Sequence, residues 1–300
     1  MKNCMNQSGA TRVVMIAISL VALSSITLSQ VFADTTTTTT PAGAAPAATA
    51  ATTSTVTAAP TLSSRLGVSY LGAVNGPILS NPMATTTDVA KESPVSVNHS
   101  IGASYKFNNG MSLGPVANFD TNVFQGMTFK LNDPWLKFGI GKEFASGPFS
   151  LGGDLRYYVP VTEASRARNS LGALRTTQVA SIEIPGSIFS IDLAAIPYVY
   201  FYSTIPDGKR LFRFIGAPTL NAKISDTFSA NVGYWFDSSV KSKAGGTNTG
   251  LVVDDQAVDL GFGWDVTPNF NLAPFVEMNT NAALSLDTTN VQMYITWKVL

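Results

Sequence analysis

From Leu62 to the C-terminus, apolar side chains recur at every second position. Val97, Ile101, Ala103, Tyr105 and Phe107 share one face of a segment whose other face carries Asn98, Ser100, Ser104 and Lys106. Leu136, Phe138, Ile140 and Phe144 alternate in the same way with Lys137, Gly139, Gly141 and Glu143, and Leu155 and Tyr157 with Asp154, Arg156 and Tyr158. The pattern continues through Phe228 to Phe236, Val258 to Val266, and Val291 to Val299. A period of two is the period of a strand, so these segments predict β-structure. About twelve such strands are expected, each of roughly nine to twelve residues, the length a tilted strand needs to cross a bilayer.

The links between them alternate in length. Short ones, rich in turn formers, fall at Asn108-Asn109-Gly110, Ala145-Ser146-Gly147, Pro185-Gly186-Ser187, Ser225-Asp226-Thr227 and Thr267-Pro268-Asn269. Long links are expected at about 74–96, 120–133, 162–175, 203–210, 238–254 and 279–288. Five short turns and six long loops suit a twelve-stranded barrel with both termini at one end.

The first sixty residues carry a different message. Lys2 and Arg12 precede an apolar run, Val13 to Leu28, which is followed by Val31-Phe32-Ala33. This is the layout of a cleaved export signal, with cleavage expected after Ala33; a retained anchor is the alternative. Residues 34–61 are almost entirely Thr, Ala and Pro and cannot bury enough apolar surface to order themselves, so they are expected to be a disordered tether, a glycosylated or wall-associated stalk being the alternative. The single cysteine, Cys4, would leave with the leader, which excludes a disulfide framework, a thiolate metal site and a cysteine nucleophile. With 19 basic and 19 acidic residues, no net field favours nucleic acid.

A soluble sandwich or lipocalin-like barrel would also alternate, but with its oily face turned inward. Here every strand has a heavily aromatic and aliphatic face opposite one rich in Gly and Ser. Phe107, Phe144, Phe149, Phe228, Phe270 and Trp297 flank the short turns, where a membrane barrel places its interfacial girdle. Taken with the leader, the turn and loop asymmetry and the final strand Val291 to Leu300, residues 62–300 resemble a Gram-negative outer-membrane β-barrel of porin-like type. The resemblance is to the class rather than to a single family. Members commonly end in an aromatic residue; here the last residue is Leu300 and the last aromatic Trp297.

The resemblance implies an all-β fold, a transmembrane up-and-down antiparallel barrel of about 12 strands, with short turns toward the periplasm and long loops outside. It implies as partners outer-membrane lipid, the barrel-assembly machinery and small hydrophilic solutes, with association into homo-oligomers left open. Pro115, Pro197, Pro218 and Pro274 fall within strands, and local bulges are expected there.

Candidate chemistry is sparse. His99, the only histidine, is expected on the apolar face near the outer end of its strand, a poor place for catalysis. Asp254-Asp255 is expected to be a solvated loop pair. No catalytic, metal or cofactor site is expected. Alternation turns Lys106, Lys137, Arg156, Arg213, Lys223 and Lys298 inward, against Glu143, Asp154, Glu183, Asp192, Asp259, Asp265 and Glu277. Lys137, Asp154, Arg156, Asp192, Arg213, Asp259 and Glu277 are the expected pore-lining set, with Lys137 and Arg156 opposite Asp259 and Glu277. The function expected is a narrow passive channel. The alternative is a barrel closed by its own salt bridges with a structural or adhesive role, and a barrel enzyme comes third.

Overall fold

The computed structural model describes residues 65–79, 95–122, 128–280 and 285–299; the expected leader and tether lie outside them. The described strands are β1 (Leu66–Ile78), β2 (Ser96–Lys106), β3 (Ser112–Asn122), β4 (Phe129–Leu131), β5 (Trp135–Ser146), β6 (Phe149–Tyr158), β7 (Ser170–Glu183) and β8 (Phe189–Tyr202). They continue as β9 (Arg210–Lys223), β10 (Phe228–Lys243), β11 (Thr247–Asn248), β12 (Val252–Thr267), β13 (Phe270–Asn279) and β14 (Thr289–Lys298). One short helix, α1 (Glu163–Ala167), stands between β6 and β7.

Strands β4 and β11 are short ribbons paired to β3 and β10. The other twelve form a continuous antiparallel ring, each bonded to its neighbours in sequence and closed where β1 pairs with β14. Closure removes the open sheet edge that no bilayer tolerates, since an unpaired backbone group in hydrocarbon costs several kcal/mol, on the order of a lost hydrogen bond. Short turns follow β2, β5, β7, β9 and β12, and long links follow β1, β3, β6, β8, β10 and β13. The turns after β5 and β12 are the tightest, and Gly147 in the first adopts φ 57°, a left-handed conformation that side chains disfavour.

Several expected loops are in fact ladder. β7 starts at Ser170, inside the link expected at 162–175, and β10 reaches Lys243 while β12 starts at Val252, both inside the link expected at 238–254. These strand ends carry apolar residues off the period of two, with Leu171 and Leu174 three apart and Val252 beside Val253, so they show no alternation to read, yet their backbone still pairs. Asp254 and Asp255 accordingly belong to β12 and not to a solvated loop.

Cross-strand partners point to the same side of a sheet, so register fixes the faces. One outward row runs Ile191, Leu220, Val232, Leu260, Val276, Val291 across six neighbouring strands. Leu220, Val232 and Leu260 are 43%, 49% and 44% exposed. At the short-turn end, Phe228 pairs with Trp264, and Trp297 with both Tyr70 and Phe270. Among the described residues the large apolar side chains are mostly exposed or half-buried, whereas Ser100, Asp154, Thr176, Asp237 and Ser239 are buried. That distribution is inverted relative to a soluble core and marks a surface built for lipid.

The four strand prolines do not create bulges. Pro115 pairs in register with Leu136, Pro197 with Phe214, Pro218 with Leu193 and Pro274 with Met293. On the opposite side each ladder is interrupted and then resumes with no change of register. An antiparallel residue directs its N–H toward one neighbour only, so a proline costs one side of the ladder and leaves the other whole. The close approach at the first of these breaks needs a glycine, because a Cβ on Gly114 would meet the Ala103 carbonyl oxygen.

Candidate functional site

The interior is organised by two ladder rows. The first joins Lys137, Arg156, Arg175, Tyr198, Arg213 and Ser239 on six consecutive staves, β5 to β10. The second joins Asp192, Thr219, Gly233, Asp259, Glu277 and Asn290 on β8 to β14. Every member lies on the face opposite the Leu260 row, which places Lys137, Asp154, Arg156, Asp192, Arg213, Asp259 and Glu277 together inside the ring. Glu143 lies at a register shift in β5, and its side chain is outside the described set.

Along the basic row the cations are tied down within the wall. Arg156 donates to both oxygens of Asp154, from Nε at 2.7 Å and from Nη2 at 2.8 Å. Lys137 Nζ lies 3.4 Å from the same carboxylate. Arg213 Nη2 stands 2.7 Å from Asp237 Oδ2, and its Nε donates to both oxygens of that group at 2.9 Å. Fork-to-fork pairing of this kind fixes orientation as well as charge. Aromatic faces complete the wall: Arg156 sits over Trp135 at 5.7 Å, and Tyr198 receives Arg175 at 5.2 Å and Arg213 at 5.3 Å. Arg175 makes no ion pair among the described residues. Its Nη1 donates to the Tyr158 hydroxyl at 3.4 Å.

Above this row, toward the long loops, a second network joins three strands. Asp254 accepts from Lys241 Nζ at 2.6 Å, from Ser239 Oγ at 2.5 Å and from Arg210 Nη2 at 3.2 Å. Sequence reading missed Asp237, Arg210, Lys241, Asp254 and Arg175 because each fell in or beside an expected loop. The signal was faint but present, since Arg213, Ile215 and Asp237 keep the inward phase through the expected boundary.

The acidic wall is built differently. Asp259 and Glu277 are direct cross-strand partners, and neither makes an ion pair among the described residues. Asp192 is hydrogen-bonded by Asn221 Nδ2 at 2.9 Å. In the ring, β5 and β12 are six staves apart, as are β6 and β13. The heights match too: Lys137 and Arg156 stand nine and seven residues from the short-turn ends of their strands, and Asp259 and Glu277 eight and seven.

His99 faces outward, as the alternation expected. Its Nδ1 pairs with the Tyr70 hydroxyl at 2.9 Å, its Nε2 with Thr121 Oγ1 at 2.8 Å, and its ring stacks on Phe119 at 4.6 Å. Both nitrogens are engaged on the lipid side.

The long link after β6 does not simply arch outward. Ser165 and Arg168 line a cavity of about 330 Å³ together with Tyr158, Tyr198, Tyr200 and Tyr202, whose register is interior. The α1 segment is therefore folded against the inner wall.

No protein-family model and no curated protein matches the chain. Among solved structures, the COG4313 outer membrane channel from Pseudomonas putida F1 aligns with 78% of this chain and 95% of its own, at 9% identity and a TM-score of 0.51. The NanC porin aligns with 76% of this chain and 97% of its own, at 7% identity and TM-score 0.45. The KdgM porin, solved in complex with disordered oligogalacturonate, aligns with 77% and 98%, at 9% identity and TM-score 0.44. At these identities the likeness speaks to fold, and the closed ring of twelve staves with lipid-facing apolar rows is the fold of an outer-membrane channel barrel.

Proposed function

We propose that this protein resides in the outer membrane of a Gram-negative bacterium and acts as a narrow passive channel for small hydrophilic solutes. The observation that carries the reading is the placement of the ion pairs. Lys137–Asp154, Arg156–Asp154, Arg213–Asp237 and Lys241–Asp254 each join residues of one strand or of adjacent staves, and Arg210–Asp254 spans one stave more. Charges that close a barrel have to pair across it. These pair along the wall and leave the cationic and acidic walls facing each other, an arrangement that orients dipolar solutes. Lys137, Asp154, Arg156, Asp192, Arg213, Asp259 and Glu277 line the path in this reading, and twelve staves keep it narrow.

The leader supports export, and lipid, the assembly machinery and solutes are the partners. The one histidine, His99, faces outward and so takes no part in the interior path.

The test is conductance of the refolded protein in a planar bilayer. Steady unitary current steps are expected. Folded protein, verified by its resistance to unfolding in detergent without heating, that conducts nothing overturns the channel reading and favours a structural barrel acting through its outer loops.

A further inference from the structure

Resting on the channel reading, we infer that the tyrosine-lined cavity beneath α1 is a capture site for one uncharged pyranose-type ring, a hydroxyl-rich solute held at the outer mouth before transit. Tyr198, Tyr200 and Tyr202 occupy successive inward positions of β8, and Tyr158 lies beside them on β6. The rings form a track: Tyr158 and Tyr198 have centroids 6.4 Å apart, and Tyr198 and Tyr200 stack at 6.1 Å with 7° between planes. Because β8 rises from a short turn to a long loop, this track runs from the basic row up to the mouth.

A phenol offers a flat apolar face bordered by a hydroxyl, and a pyranose offers the matching surface, a C–H face bordered by hydroxyls. Aromatic rings with a polar handle suit such half-apolar, half-wet ligands. Ser165 and Ser170 add two more hydroxyls to the lining. The cavity of about 330 Å³ stands at the small end of ligand sites, room for one ring and not for a long chain.

Charge argues for a neutral ligand. The lining carries one cation, Arg168, and one anion, Asp133. The two guanidiniums that flank it are already engaged, Arg213 by Asp237 and the Tyr198 ring and Arg175 by Tyr198 and Tyr158, so the ring faces left for a solute are those of Tyr200 and Tyr202. Asp133 also builds the roof: its carboxylate accepts from the Thr162 backbone N–H at 2.9 Å and from Ser165 Oγ, which pins the start of α1 to the segment before β5. The fixed roof covers one side of the site and leaves the other open to solvent. Placing it on the wall of a pore also explains the modest affinity expected, since a solute that binds too tightly cannot leave.

The experiment is titration calorimetry of the full refolded chain in detergent with D-glucose, sorbitol and D-glucuronate, run beside current-block measurements in the bilayer. Binding of glucose with a millimolar dissociation constant is expected, with sorbitol, which has no ring face, at least about tenfold weaker, a difference of about 1.4 kcal/mol. Tyr200→Ala and Arg168→Ala are expected to weaken glucose binding by a similar factor. If Tyr200→Ala fails to fold, Tyr200→Phe and the loop variant Arg168→Ala carry the comparison. No heat with glucose, equal binding of sorbitol, unchanged binding in the variants, or glucuronate tighter than glucose by tenfold would each overturn the neutral-ring assignment. Glucose binding without conductance would leave the site standing and remove the channel; conductance without binding would do the reverse.

Discussion

The basic wall on β5 to β9 and the acidic wall on β12 and β13 face each other at matched height, yet they solve the burial of charge in opposite ways. On the basic wall each exposed or half-buried cation is answered nearby, Arg156 by Asp154 and Arg213 by Asp237, and the remaining one, Arg175, rests on Tyr198 and Tyr158. On the acidic wall two carboxylates stand side by side with Trp235 as a shared neighbour and no cation paired to either among the described residues. Paired charges hold one geometry and are costly to break. Like charges held adjacent are supported only by water and neutral donors, so that wall gives up little when one charge is removed.

The largest expected effect tests the outside of the acidic wall. Leu260 is the outward neighbour of Asp259 on β12, and Leu260→Arg places a cation in lipid, at a cost of about 2–4 kcal/mol. Thr296→Arg, on the inner face of β14, is expected to be tolerated far better. Equal unfolding midpoints in denaturant would break the assignment of faces.

Next comes the contrast between the walls. Asp154→Asn leaves Lys137 and Arg156 without their shared partner and is expected to lower stability by about 3 kcal/mol, the low end for a broken buried pair because one side of it meets the lumen. Asp259→Asn relieves a like-charge contact and is expected to leave stability unchanged or slightly raised. An Asp259→Asn variant that unfolds as readily as Asp154→Asn would show the walls to be equivalent.

A smaller effect concerns current. Reversal potential under a salt gradient is expected to move toward cation selectivity in Lys137→Gln with Arg156→Gln, and toward anion selectivity in Asp259→Asn with Glu277→Gln. The acidic pair is expected to give the larger shift, because Asp154 already offsets part of the basic row. A larger shift from the basic pair would mean that Arg175 and its neighbours dominate the field.

The smallest lies at the short-turn end. Lys223 Nζ sits 2.9 Å from Asp226, and its hydrogen bond holds that carboxyl below the usual carboxylate range. A depressed carboxyl contributes stability above its unfolded-state value and loses it as pH falls through the folded one. Both groups are fully exposed to water, which screens the pair. Asp226→Asn is therefore expected to unfold indistinguishably from the parent at neutral pH, and a measurable loss would show that the turn after β9 is anchored by charge.

Sequence reading reached the staves wherever one face meets lipid and the other meets water. Leu260 and Asp259, or Leu155 and Arg156, are adjacent residues in opposite solvents, and a period of two follows from the pleat alone. The five short turns were legible for a related reason, because Gly147, Gly186 and Pro268 satisfy backbone requirements that few other residues meet. Legibility failed where the alternation is interrupted. Leu171 and Leu174 ahead of Arg175, and Val252 and Val253 ahead of Asp254, do not keep a period of two, and Asp237 is followed at once by two serines, so the local pattern did not separate strand from loop.

The four prolines show the limit from the other direction. Composition says that each removes a backbone donor; only register says which neighbour loses it, and that the other side of the ladder holds without a bulge. In the same way the sequence by itself determined that this chain forms outward-oily, inward-polar staves with alternating short and long links, because those are consequences of local solvent and local turn chemistry. The tertiary structure decided which charges meet. Ring closure and the oblique climb of the ladder bring Asp259 and Glu277 level with Lys137 and Arg156, and fold α1 inward over four tyrosines. Those relations depend on stagger between strands far apart in sequence, a quantity that no single strand encodes.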